Sequence, residues 1–264
     1  MKPVSDYLKK PMIGGGRSLP VAGNGRQFAL RSLDELRMDH LTGSARERYV
    51  AMLEGARAWR KSWPTVAGMS FVVTGPAGTG KTTVAENLRA VSRAVICAVD
   101  WDNRPIPGTE QYISNGRFTS AAMLMRLLDP AGVMVDGFGE VNRSSLETMF
   151  GRADLVVVDD LGREELPYVP AGRFVETRQN RYREFFDWLY RRSKSVIVTS
   201  NVPLLVAAGA TTTVNPAFIE IIGEAAWSRL EVMAAGYMFD LTGVADYRRI
   251  EAKAGRIEAK RGVK

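Results

Sequence analysis

Residues 70–92 read SFVVTGPAGTGKTTVAENLRAVS, and they constrain the fold more than any other stretch of the chain. Ser70 to Thr74 is an apolar run suited to a buried strand, Thr83 to Ser92 has the pattern of a helix, and between them lies a glycine-rich turn. The turn runs Gly75, Pro76, Ala77, Gly78, Thr79, Gly80, Lys81, Thr82 and Thr83, which fits Gly, four residues of any kind, Gly, Lys, Thr. Such a loop wraps backbone N–H groups around phosphates, Lys81 adds a point charge, and the Thr82 hydroxyl reaches a magnesium ion. A surface glycine turn needs neither the preceding strand nor the Lys-Thr pair nor the helix. The expected ligands are therefore ATP and Mg2+, and the expected class is α/β.

With 264 residues the chain has room for one substantial domain with appendages, or at most two small ones. It has no run of 18 apolar residues, and its first residues, MKPVSDYLKKPMIGGGR, lack the apolar stretch of a secretory signal, so a cytoplasmic protein without a membrane span is expected. The one cysteine, Cys97 in AVICAV, excludes a disulfide framework and a zinc cluster and reads as core filler. The one histidine, His40, has no partner in view and reads as structural or exposed. The net charge of +7 sits at the ends. Residues 1–26 hold five basic and one acidic side chain, and residues 248–264 hold seven and two, so the middle is close to neutral. Basic ends on a neutral nucleotide-binding core point to a polyanion such as nucleic acid.

Three regions follow from the pattern. Residues 1–44 form a basic, Gly- and Pro-rich arm with a linker helix, residues 45–242 the nucleotide-binding core, and residues 243–264 a basic helical tail. The tail repeats RIEAKAG as RIEAKRG, which puts Ile250 and Ile257 on one helical face. Upstream of the phosphate loop, RERYVAMLEGARAWRKSW is helical, and Trp59 and Trp63 share a face that is better used to anchor the helix on the core than to stack bases. Downstream come four more β-rich runs, AVICAV (94–99), LVVVD (155–159), SVIVTS (195–200) and YMFDLT (237–242), separated by helical patterns such as RYREFFDWLYRR and AFIEIIGEAAWSRLEVMAA. Strands alternating with helices indicate a mostly parallel sheet covered on both faces.

In such a sheet the carboxyl ends of the strands line the ligand crevice. LVVVDDLG therefore brings Asp159 and Asp160 beside the phosphate loop, Asp159 to hold magnesium through water and Asp160 to orient or deprotonate an attacking water. The next strand ends in TSN, which adds Asn201 as a hydrogen-bond partner for that water or the γ-phosphate.

Together, the phosphate loop, LVVVDDLGREE, YREFFDWLYRRSKSVIVTSNVPL and IGEAAWSRLEVMAAGYMFDLTGVADYR resemble the AAA+ ATPases of the DnaA and DnaC branch, and within it the DnaC, DnaI and IstB group of helicase loaders and transposition helpers, over roughly residues 45–250. The resemblance implies a P-loop core with a parallel five-stranded sheet of order 5-1-4-3-2 and no C-terminal lid domain. It makes Arg229, in WSRL, an arginine finger acting on a neighbouring subunit's nucleotide, hence self-assembly into a ring or spiral. It also makes GRFTSAAMLMRLLDP (116–130) a helical element lining a DNA channel, with Arg117, Arg126 and Arg143 as phosphate contacts, and with Met123, Met125 and Leu127 as packing. Asp160 stands where many AAA+ proteins have Glu, which implies slow hydrolysis. No cysteine cluster lies near the N-terminus, so helicase docking would fall to the arm and first helices.

The implied function is an ATPase that loads a hexameric replicative helicase on single-stranded DNA. An IstB-like helper on duplex DNA shares the same core. A small-molecule kinase would need an arginine-rich lid, for which 162–181 is the only candidate, and an adaptor that binds ATP without turning it over also fits Asp160.

Overall fold

In the computed structural model the described residues are 33, 36, 38–63, 68–90, 93–96, 111–114, 116–128, 134–136, 139–141, 146–164, 166, 169–208 and 211–247. Cys97, Arg143, the first 32 residues and the repeat in the tail lie outside them.

In chain order the elements are α1 (Gly43–Ser62), β1 (Phe71–Thr74), α2 (Lys81–Arg89), β2 (Arg93–Ile96), β3 (Gln111–Ser114), β4 (Gly116–Ser120), α3 (Ala121–Leu127), β5 (Met134–Asp136), β6 (Gly139–Val141), α4 (Leu146–Phe150) and β7 (Leu155–Leu161). A 3-10 turn over Ala171–Arg173 then leads into α5 (Phe174–Arg191), β8 (Ser195–Ser200), β9 (Leu205–Ala208), β10 (Thr211–Val214), α6 (Pro216–Ile222), α7 (Glu224–Met233) and β11 (Met238–Asp240). The central sheet runs β11-β1-β8-β7-β4 with every pair parallel. Numbered by chain order within the sheet this is 5-1-4-3-2, the expected arrangement, and the phosphate-loop strand is interior.

Alternation along the strands divides the core into two layers. Phe71, Val73, Leu155, Val157 and Ile197 point to one face, where they meet Tyr49, Met52, Leu53, Ala56 and Trp59 of α1 and Val84, Ala85 and Leu88 of α2. Val72, Val156, Val158, Val196 and Val198 point to the other, against Tyr182, Phe185, Phe186 and Leu189 of α5, Phe218 and Ile222 of α6, and Trp227 and Leu230 of α7. Cover on both faces is why these strands are continuously apolar.

Three expectations need correction. Among the described residues the second sheet strand is Gly116–Ser120 rather than the expected AVICAV, and it pairs with β7 from Gly116↔Leu155 to Ser120↔Asp159. Residues 93–96 instead pair antiparallel with 111–114 in a separate hairpin. An apolar run marks a strand but not its partner, and here the nearer partner wins. GRFTSAAMLMRLLDP thus opens with a five-residue strand, and its helix begins only at Ala121, where the Ser120 hydroxyl accepts from the Met123 N–H at 3.2 Å. Met123 is exposed, against its reading as packing, while Met125 is fully buried. The third correction is in AFIEIIGEAAWSRLEVMAA, which is two helices. Gly223, at φ 82°, breaks the run between α6 and α7.

Trp59 anchors α1 as expected. It is fully buried, stacks on Trp63 with ring centroids 5.8 Å apart, and donates Nε1–H to the Met69 carbonyl at 3.2 Å. Trp63 donates to the Ser195 hydroxyl at 3.1 Å, tying the helix end to the start of β8. Trp59→Ala is expected to cost about 3–5 kcal/mol in urea denaturation. A variant of wild-type stability would contradict the anchoring role.

Candidate nucleotide site

The phosphate loop leaves the carboxyl end of β1 and closes on the first turn of α2. Gly75, Gly78 and Gly80 all have positive φ, at 137°, 78° and 86°. At Gly75 space forbids a side chain as well, because a Cβ would stand 2.7 Å from that of Leu241. Lys81 is buried, and its ammonium donates to the carbonyls of Gly75 (2.9 Å) and Pro76 (2.7 Å) and to Asn201 Oδ1 (3.0 Å). Thr79 braces the turn by donating to the Pro76 carbonyl at 3.0 Å.

β7 supplies the carboxylates through a bulge. Val158 pairs with Val198 and Leu161 with Ser200, so Asp159 and Asp160 together face the single residue Thr199. A regular strand would send the two aspartates to opposite faces. Here Asp160 takes φ 59°, and Thr199 serves both, donating its hydroxyl to Asp159 Oδ1 at 2.5 Å and accepting the Asp160 N–H at 3.0 Å. Asp159 also accepts from the Thr82 hydroxyl at 3.0 and 3.2 Å. Asn201 closes the circuit. Its Oδ1 accepts a hydrogen bond from the Lys81 ammonium and its Nδ2 donates to Asp160 Oδ1 at 3.0 Å, so one amide joins the loop lysine to the second aspartate.

Two supports had no assignment in the sequence reading. Thr199 belongs to the TSN stretch, but its contact with both aspartates depends on the bulge. Glu164 is buried, accepts the Gly162 N–H at 2.6 Å and the Tyr182 hydroxyl, and so pins the turn that follows Asp160. Burial, aided by the Glu164 charge and hydrogen bond, raises Tyr182 well above its usual range and keeps it a donor. The signal available was REE, whose Glu164 stands four residues past Asp160. Behind the loop, the Tyr247 N–H donates to the Gly78 carbonyl at 3.1 Å, and its ring packs on His40 with centroids 5.2 Å apart.

The other expected site residues lie apart from this cluster. Arg229, on α7, bonds Asp187 rather than any phosphate-loop residue. Arg117 is exposed on edge strand β4 and Arg126 in the last turn of α3. As candidate metal donors, Thr82 and Asp159 offer a hydroxyl and a carboxylate already in contact, a hard oxygen set that suits magnesium.

Desolvation holds the Asp159 carboxyl above its ordinary value, opposed by the Thr199 and Thr82 hydrogen bonds and the Lys81 charge and reinforced by Asp160. The folded chain thus keeps a proton that the unfolded chain releases, and this group's contribution to stability falls as pH rises from the ordinary value through the raised one. Asp159→Asn, which keeps an acceptor for both threonines, is expected to raise the melting temperature at neutral pH and to lose that advantage below about pH 4. Equal melting curves from pH 4 to 8 would contradict the burial argument.

No protein-family model matches this sequence, and no curated protein matches it. Among solved structures the chain is similar to the crystal structure of the DnaC helicase loader, at 18% identity over 79% of this chain and 96% of that one, with a TM-score of 0.49. It is also similar to AMPPCP-bound DnaA from Aquifex aeolicus, at 16% identity over 75% of this chain and 47% of that one, TM-score 0.39. Domain III of DnaA from Thermotoga maritima gives 15% identity over 77% and 64%, TM-score 0.42. These are likenesses of fold. In its own topology the chain has an α/β core with strand order 5-1-4-3-2, the glycine-rich loop on an interior strand and an Asp-Asp strand end beside it.

Proposed function

We propose that this chain is an ATPase accessory to DNA replication, which binds a hexameric replicative helicase and loads it on single-stranded DNA. The observation that carries the ATPase part is the Asn201 bridge between Lys81 and Asp160, beside the contact of Thr82 with Asp159. A phosphate-binding lysine, a metal-binding pair and a general base within one hydrogen-bonded circuit have the makings of hydrolysis rather than of binding alone. The loader part rests on the run of motifs from the phosphate loop to WSRL.

In this reading ATP phosphates lie along the loop N–H groups and the α2 N-terminus, and Lys81 exchanges its carbonyl partners for phosphate oxygens. Magnesium, when bound, would neutralise charge on the β- and γ-phosphates, held by the Thr82 hydroxyl and through water by Asp159. Asn201 orients the attacking water and Asp160 takes its proton as the new oxygen bond to the γ-phosphorus forms and the bond to the β–γ bridging oxygen breaks. Arg229 of a neighbouring copy stabilises the charge that builds on the transferring phosphoryl group. Assembly in a ring or spiral is what turns hydrolysis on. Arg117, Arg126 and Arg143 contact DNA phosphates.

The kinase alternative loses the support of two of the four arginines in 162–181. Arg178 there donates to the Glu220 carbonyl at 3.2 Å, and Arg181 is buried and donates to the Met125 carbonyl at 2.8 Å, so neither is free to close over an acceptor.

Arg229→Ala is expected to keep ATP binding and lose hydrolysis by about 10³-fold or more, whereas Lys81→Ala loses binding itself. A full-rate Arg229→Ala protein would remove the finger. Light scattering on a sizing column, with the host's replicative helicase, ATP and magnesium, is expected to give a co-eluting complex of defined stoichiometry. Separate elution of both intact proteins would overturn the loader reading and favour the duplex-DNA helper.

A further inference from the structure

Arg229 is held in a way that an unconstrained surface arginine is not. Its Nε–H donates to Asp187 Oδ1 at 2.9 Å, and its guanidinium lies over the Tyr190 ring, 5.9 Å from the centroid. Among the described residues neither terminal nitrogen of the guanidinium has a hydrogen-bond partner. Asp187 and Tyr190 are three apart on α5 and so share a face, and that face lies against α7. Both helices are fixed from beneath by core residues, Phe186 and Leu189 on α5 and Leu230 and Met233 on α7. Beside Arg229 is an open hollow of about 380 Å³ lined by Tyr190, Arg191, Ser228 and Val232.

The Asp187 side chain is 25% exposed and that of Arg229 39%. An ion pair this wet adds little to the stability of a fold, so its geometry asks for another use. A guanidinium has five donors in a rigid plane. Gripping it by Nε and by one face immobilises the side chain while leaving the two-nitrogen end open, and that end is the part that matches phosphate oxygens in a bidentate fashion. A finger that arrives already oriented loses less conformational freedom when it docks.

We propose that Asp187 and Tyr190 are positioning residues for Arg229, presenting its terminal nitrogens to the nucleotide phosphates of a neighbouring copy. This rests on the reading of Arg229 as a finger acting between subunits. Asp187 also leaves the arginine paired rather than bare in a lone subunit, at a grip on Nε that need not be broken for the open end to work.

The test is steady-state ATP hydrolysis by the full chain, at concentrations where turnover per subunit no longer rises, with the KM for ATP measured alongside. Asp187→Ala and Tyr190→Ala are each expected to lower kcat on the order of 10- to 100-fold, with KM and melting temperature unchanged. Asp187→Asn keeps an acceptor for Nε and Tyr190→Phe keeps the ring face, so both are expected to recover most of the rate, and they stand in if an alanine variant misfolds. Asp187→Ala combined with Arg229→Ala should be no slower than Arg229→Ala alone, because a positioning residue has nothing left to position. Asp187→Ala at or above the wild-type rate, or losses that add in the double variant, would overturn the proposal while leaving the finger standing. Arg229→Ala at full rate, or no turnover by the wild-type chain, would instead sink the underlying reading and this inference with it.

Discussion

Parallel pairing of β1, β8 and β7 is the constraint on which the site depends. Because all three strands run the same way, their carboxyl ends come out at one edge, and the residues that leave those ends have to meet. Thr74 passes into the phosphate loop, Val158 into the two aspartates and Val198 into Thr199, Ser200 and Asn201. Side chains more than a hundred residues apart, such as Lys81 and Asn201, then come within hydrogen-bonding distance without any loop having to search for them. The apolar layers on both faces hold the strands in that register, since a slip of one residue would turn each valine toward the wrong layer.

Within that frame the bulge in β7 does the local work. Two adjacent carboxylates at a strand end repel each other and, by alternation, should part. One inserted residue and a left-handed Asp160 let Thr199 engage both, with Asn201 and Glu164 bracing the turn on either side. Asp and Asn tolerate that backbone region better than other side chains do, so the second acid is compatible with its unusual conformation. A pair of aspartates thus acquires two environments, Asp159 enclosed by hydroxyls and Asp160 facing an amide and the solvent edge.

The surroundings of Arg229 are built on other principles. Arg229 and Asp187 meet on the outside of two helices whose inner faces fill the core, so the rigidity of the arginine is borrowed from packing beneath it. The candidate nucleotide cluster and the arginine thus occupy different parts of the molecule.

Much of the site was legible because it is local. The phosphate loop needs glycines, Lys81 and Thr82 at fixed spacing between a strand and a helix, and LVVVDD and TSN carry their polar ends where buried strands stop, so chain order alone lines them up. The continuous apolar runs of β1, β7 and β8 and the helical face holding Trp59 were equally readable. What tertiary structure alone decided was pairing. AVICAV is as apolar as a sheet strand, yet its described residues, 94–96, pair with 111–113, while the plainer GRFTS took the edge beside β7. The bulge opposite Thr199 and the grip of Asp187 on Arg229 join residues 39 or more apart, and periodicity within one segment holds no information about which distant segment it will touch. Sequence determined the chemistry available to this protein, because residue type and short spacing are written along the chain; the fold decided which of those groups stand together, because that depends on packing between elements the chain does not order by itself.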